Sequence, residues 1–424
     1  MLSTLRNAWK VPELKKRFLW TIFLVAIFRI GTHIPVPGIR TDVLNSLASS
    51  GTIFGFYDLI SGGAFRQFSI FALSVTPYIN ASIIVQLLTI AIPSLEQLSK
   101  EGEDGRKKIQ KITRILSIVI GFILAFGTYS MVAAKGATVG MSWPEMLVVL
   151  VALVAGSTFC MWLGDQITAK GFGNGISILI FVNIVSQLPV TLMSLFTLED
   201  QGKITIIGIL LFVAFAIILL GLCVFFSLAE RRIPVQYAGK AVGSKVMKGQ
   251  STHIPLSIIG SAVIAIIFSM SVMMFPKTIA EFFPNVTWVQ SVVTSKYSMF
   301  NETTWMYPVC YALLTIFFTW FYTQITFKPD EMAENLNKSA GFVPGIRPGE
   351  ATEKHFEKVL TKVSLVGGVF AALLAVLPIL IANTSLQGIQ FGGTSLLIMV
   401  GVGLDFSRQL DSQLVMRHYQ GFLK

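Results

Sequence analysis

A chain of 424 residues that is 53% hydrophobic and only 13% charged, with a mean hydropathy of +0.70, is not an ordinary soluble domain. Its net charge of +11 fits a protein that faces an acidic partner or a membrane surface. No catalytic constellation is present: there is no HExxH, no nucleophile elbow and no phosphate loop ending in Lys-Ser/Thr. The three cysteines (Cys160, Cys223, Cys310) lie in apolar runs without partners at metal-ligand spacing, and the four histidines are scattered. The expectation is a non-enzyme without metal or cofactor.

Ten apolar runs follow one another: Phe18–Ile34, Phe68–Ile92, Ile112–Ala133, Met146–Leu163, Ile176–Phe196, Ile204–Ser227, Pro255–Phe275, Trp305–Thr326, Val363–Ala382 and Thr394–Leu404. Most approach the roughly 20 residues that span about 30 Å of hydrocarbon as helix. The last is shorter and must continue into the polar stretch after Leu404. The first run follows a basic tail and leads into Pro35-Val36-Pro37-Gly38, which is not a cleavage site for a signal peptide. Of 33 Lys/Arg, 26 lie in the two tails and the even-numbered gaps, counting Arg114 at the edge of the third run with the second gap. Lys/Arg excess marks the cytoplasmic side, so both termini are expected there.

The first outside gap holds a second, weaker helical signal over Thr52–Phe65, too short to cross and too apolar for a plain loop. It is either lodged in a protein cavity or resting on the headgroups, and its composition does not decide between them. The second run is studded with Ser74, Thr76, Tyr78, Asn80, Ser82, Gln86 and Thr89. A lipid-facing helix would not carry so many hydrogen-bonding groups; this one packs against other helices or lines a wet cavity. Thr76, Ile79, Ile83 and Gln86 share one stripe. Gly171-Phe172-Gly173-Asn174-Gly175 reads as turn chemistry before the fifth span. Ten spans divide into two halves of five, 1–202 and 203–424, and an odd number per half makes the second half enter in the opposite sense. Two long basic cytoplasmic loops, about 228–254 and 327–361, contain short β-like stretches; they are either a docking platform or solvated loops whose charges fix topology. No acid lies near a midplane, which disfavours an ion-coupled transporter.

Ser61-Gly62-Gly63-Ala64-Phe65, Pro77-Tyr78-Ile79-Asn80-Ala81-Ser82, Gly171–Ser177, Glu230-Arg231-Arg232-Ile233-Pro234-Val235-Gln236-Tyr237, Gly341–Gly349, Phe391–Ile398 and Met416-Arg417-His418-Tyr419 occur in order along the whole chain. Together they resemble the SecY family, the central subunit of the bacterial protein-conducting channel. The resemblance implies an all-α membrane protein, with ten transmembrane helices in two inverted halves around an hourglass pore. The implied function is passage of unfolded secretory polypeptides across the bacterial plasma membrane and sideways release of transmembrane segments into lipid. An accessory channel of the same type for one dedicated substrate is the alternative. Implied partners are the membrane subunits SecE and SecG, the SecA motor ATPase, the ribosome, signal sequences and nascent chains, and the lipid bilayer.

Residue roles follow from the same resemblance. A pore ring falls on Ile79, Ile83, Ile180, Ile184, Ile267 and Ile398. A plug falls on about 52–67, with Phe54, Tyr57, Leu59, Ile60, Gly62, Gly63 and Phe65. A lateral gate between the second–third and seventh–eighth spans includes Thr76, Asn80, Gln86 and Ile259, and SecA or ribosome docking falls on Arg231, Arg232, Lys240, Lys245, Lys248 and Arg347. One stretch departs from the family. Its seventh helix carries Asn, Gly and Pro where this chain has Ile259, Ala262 and Ala265. Loss of the Pro is expected to straighten that helix.

Overall fold

The computed structural model describes residues 9, 11–40, 61–134, 136, 138, 142–200, 202, 205–237, 241–242, 245–246, 251–260, 262–282, 286, 291–293, 295, 298–301, 304–382 and 393–421. Ten described helices coincide with the ten apolar runs: α1 (Pro12–Gly31), α2 (Thr76–Ala91), α4 (Glu103–Ala134), α5 (Trp143–Lys170), α6 (Gly175–Asp200), α7 (Ile206–Leu228), α8 (Ala262–Phe282), α9 (Met306–Phe327), α11 (Glu350–Ala382) and α12 (Gly393–Gly421). Two shorter helices, α3 (Pro93–Lys100) and α10 (Pro329–Lys338), follow α2 and α9 directly. Among the described residues six helices are long and apolar enough to cross a membrane, and α2 with α3, bent by 102°, makes a seventh. Charges in α1, the short apolar part of α8 and the polar end of α12 keep those three below that measure.

Local chemistry sets several starts. Pro12, Pro77, Pro93, Pro144 and Pro329 occupy first-turn positions, where a missing N–H costs nothing. Ser142 and Glu145 form a capping box at the head of α5. Asn174 Oδ1 accepts the amides of Ile176 and Ser177 and so caps α6, as expected of the glycine-rich turn.

Two expected boundaries move. The second span does not begin at Phe68. Residues 68–75 pair with the chain after α1, through Val36 N–H to Phe68 O (2.9 Å) and Ile70 N–H to Ile34 O (3.0 Å). Phe68 (φ 44°) and Ser74 (φ 48°) take left-handed conformations that a helix excludes. This buried strap delays α2 until Thr76. The seventh span does not begin at Pro255. That residue lies in β4 (Ser251–Ser257), and α8 starts only at Ala262. Ala265 therefore sits in the first turn, where proline is tolerated. The straightening expected from its loss concerns the start of the helix rather than its middle.

The helices form two groups, each with its own core. α1, α2, α4, α5 and α6 supply two clusters, one around Phe28, Phe71, Leu163 and Leu179, the other around Phe65, Phe68, Ala125 and Leu153. α7, α8, α9, α11 and α12 supply a third, around Leu219, Ile266, Tyr311, Leu374 and Leu397. Outside the membrane the two long loops fold together. β1 (Glu230–Tyr237) pairs antiparallel with β4 on one side and β5 (Gly341–Phe342) on the other, and β2 (Ala241–Val242) pairs with β3 (Lys245–Val246). Ile233, Val235, Leu256, Leu336, Val343 and Phe356 close a small core beneath the sheet.

The strap depends on a close approach to α5. A Cβ on Gly156 would run into the carbonyl oxygen of Ile70. Gly156→Ala should therefore cost about 1–3 kcal/mol, read as a lower unfolding midpoint in detergent. Gly221 in α7 has open space around it, so Gly221→Ala should be neutral or stabilising by up to about 1 kcal/mol.

Candidate functional site

The two helix groups meet through side chains at the centre of the bundle. Ile180 and Ile184 on α6 are buried in the cluster that also receives Ile398, which arrives on α12 from the other group. Ile79 on α2 packs against the same cluster. Val263 and Met399 touch both this cluster and that of the second group. Ile83 is buried on the inward face of α2, and Ile267 is half-buried on α8; neither belongs to the shared cluster. The structure thus brings together four of the six expected isoleucines in one apolar contact. These side chains are β-branched and stiff at χ1, and they carry no group that could hold water in the contact.

Polar bonds cross between the groups along α2. Gln86 donates from Nε2 to the Tyr322 phenol oxygen on α9 (2.9 Å). Ser271 on α8 shares its hydroxyl proton between Asn80 Oδ1 (3.2 Å) and the carbonyl of Ile267 (2.9 Å). Two of the polar residues of α2, Asn80 and Gln86, are therefore explained by a helix–helix seam. Thr76 stands at the head of α2, half-buried. Ile259 lies before α8, 5% exposed, within the core of the second group. Ser271 and Tyr322 are the partners that sequence reading missed. Each is one polar residue in an apolar run, with nothing local to mark its bond to α2.

Behind the seam, α9 and α11 pack as a pair. Thr315, Thr319 and Thr323 are buried in α9, and each hydroxyl donates to the carbonyl four residues back. Such small, internally satisfied residues let two helices approach closely. Gln324 on α9 also donates to Thr361 on α11 (3.0 Å).

Of the expected plug, Phe54, Tyr57, Leu59 and Ile60 lie outside the described residues. Gly62 and Gly63 adopt φ of 68° and 89°, and Phe65 is buried against Phe68. In and beside the sheet, Arg231, Arg232 and Arg347 are exposed, with Arg232 paired to Glu230 (2.7 Å). Lys240 and Lys248 lie outside the described residues. Lys245 is placed in β3 by its backbone.

Two helix groups joined by an apolar waist and a sparsely bonded seam define a multi-pass membrane protein of the channel class. Comparison with known proteins agrees. The SecY family model matches residues 69–407. The protein translocase subunit SecY of Halalkalibacterium halodurans is 41% identical over 100% of both chains. A solved protein-conducting channel shares the fold at a TM-score of 0.67 and 18% identity, covering 97% of each chain. The Sec61 channel of a canine ribosome-channel complex does so at 0.61 and 18% identity, again over 97% of each. The chain belongs to the SecY family, and its function is that of a protein-translocation channel.

The Gln86–Tyr322 bond should show direct coupling. In a double-mutant cycle with Gln86→Leu and Tyr322→Phe, the interaction energy should be about 0.6–1.5 kcal/mol, measured by thermal unfolding in detergent. Additive effects would mean that the bond does not form.

Proposed function

We propose that this chain is the passive conduit through which unfolded secretory polypeptides cross the bacterial plasma membrane, and that its α2 seam is the side exit for transmembrane segments. The observation that carries this reading is the entry of Ile398, from one helix group, into the isoleucine cluster of the other. An apolar constriction resists wetting and so blocks ions, while side chains that only touch can part around a moving chain. Ile79, Ile83, Ile180, Ile184, Ile267 and Ile398 form this ring in the proposal. Residues 1–202 and 203–424 are the two halves, inserted in opposite senses with both termini cytoplasmic.

The seam between α2–α4 and α8–α9 is the lateral gate, and its cross-bonds are Asn80–Ser271 and Gln86–Tyr322. Interhelical hydrogen bonds in a membrane average about 0.6 kcal/mol. Two of them close the seam without locking it, and an apolar segment leaving into lipid gains more than their loss. The segment about 52–67 is the plug, and Thr76 stands at the head of the gate helix. The sheet carrying Arg231, Arg232, Lys240, Lys245, Lys248 and Arg347 docks the SecA motor and the ribosome. Lys/Arg contacts to RNA phosphate suit such a partner and weaken steeply with salt. SecE and SecG are the membrane partners. The motor and the ribosome supply the directional work that a chain without catalytic groups does not.

Two measurements test this. Ile398→Lys should raise resting ion conductance in planar bilayers about tenfold, because a charge at the waist draws water into it. Unchanged conductance would contradict a sealing role, as would a stalled export intermediate that crosslinks to lipid-facing positions but never to Ile79 or Ile267. Arg347→Glu should abolish motor binding and transport while shifting stability by no more than about 0.5 kcal/mol, since the residue is exposed.

A further inference from the structure

Arg29 lies inside the first apolar run, half-buried near the outer end of α1. It directs its guanidinium at a backbone carbonyl, that of Gly62 (Nη1 to O, 3.1 Å). The end of α1 is built to hold it there. Thr32 Oγ1 donates to the Arg29 carbonyl at 2.7 Å, and His33 Nδ1 lies 3.0 Å from the same oxygen. Gly62 is wedged from the other side. A Cβ there would collide with Asn183 Oδ1 and sit 2.9 Å from the Arg29 Nη1, at a φ of 68° that side chains avoid in any case. One on Gly63 would lie 3.1 Å from Gln187 Nε2. Asn183 and Gln187 are buried on α6, and Asn183 Nδ2 donates to Ser74 of the strap (3.4 Å). Ser61 closes the turn by accepting the Phe65 amide (3.0 Å).

These contacts form a polar cradle between α1 and α6 that fits only a bare glycine backbone. We propose that the Arg29–Gly62 bond, seated in the Asn183–Gln187 cradle, is a latch that holds the base of the plug in the closed channel. The proposal rests on the plug reading above and adds the residues that control it. Both walls of the cradle belong to the first helix group, so separating the two groups does not by itself break the latch. The plug is released by a separate event, in which the Gly62 carbonyl leaves the guanidinium. Arg29 is then left as a free cation at the outer end of the pore. Hydrogen bonds to charged groups are stronger than neutral ones, so the bond from the Arg29 guanidinium to the Gly62 carbonyl is costly to break.

The test is resting ion conductance of the full-length chain, purified with its membrane partners and placed in planar bilayers. Arg29→Gln and Gly62→Ala should each raise it roughly tenfold, the effect expected for loss of one charge-assisted bond. Arg29→Lys, which keeps a cationic donor, should recover most of the seal. Deleting 51–60 should raise conductance as well, and adding Arg29→Gln to that deletion should change nothing further. If the deletion leaks but Arg29→Gln and Gly62→Ala do not, the latch is wrong and the plug stands. Arg29→Gln leaking as much on top of the deletion as alone would also overturn the latch. A deletion that does not leak removes the plug reading and the latch together. Should Arg29→Gln fail to fold, Gly62→Ala carries the same comparison, with and without the deletion.

Discussion

In hydrocarbon no water satisfies a peptide group, so every N–H and C=O must find its partner inside the protein. This constraint forces the spanning segments to be helices, and it also decides where the molecule can come apart. A contact made of backbone hydrogen bonds cannot open in lipid without leaving several kcal/mol of unsatisfied groups. A contact made of side chains can. The two helix groups meet through side chains: the isoleucine cluster, the bonds of Asn80 and Gln86, and the packing of Leu14 and Phe172 against Phe406 and Leu410. Each group also keeps a buried core of its own.

The same rule accounts for an irregular stretch among the described residues. The stretch 62–75, which ends in the strap, is not helical, and it is tolerated because it is largely enclosed. Its carbonyls and amides are taken up by residues 34–36, by Arg29 and by turns of its own. α5 makes room for it by presenting Gly156 to Ile70. Beyond the ends of the spanning helices, where water competes for backbone groups, the chain is free to form strands. The sheet there is joined to α9 and α11 without slack. α9 passes into α10 at the left-handed Lys328, and α11 runs unbroken from the sheet core at Phe356 into the core of the second group at Leu374.

Most spans were legible because hydropathy is a strong signal in this class of protein. The misses have a common cause. Phe68–Val75, and Leu256 and Ile259 after β4, are apolar where they are buried, and burial in protein reads the same as burial in lipid. Only the backbone conformations of Phe68 and Ser74, and the pairing of β1 with β4, separate the two. The starts of α4 and α11 were missed for the opposite reason. Both helices extend into water as charged turns, Glu103–Lys111 and Glu350–Lys362, where apolar content gives no guide. The cross-seam partners were invisible because Gln86 and Tyr322 are 236 residues apart. Conversely, the polar load on α2 excluded a lipid-facing helix from composition alone, leaving a helix contact or a wet cavity wall as its reading.

The departure in α8 takes its meaning from this geometry. The family carries Asn where this chain has Ile259, a residue packed within the core of the second group before α8 begins. An amide at that site would need a buried partner, and the isoleucine needs none. The polar contribution of α8 to the seam comes instead from Ser271, about three turns further along at 3.6 residues per turn, and its partner is the amide of Asn80 on α2. A hydroxyl that also bonds the carbonyl of Ile267 in its own helix loses little when the seam parts, because its proton stays satisfied. The cost of parting then falls mainly on the Asn80 side chain and on Gln86. α2 is thus the helix whose cross-seam groups, Asn80 and Gln86, would need new partners if the seam parted. The polar groups of α8 and α9 need few.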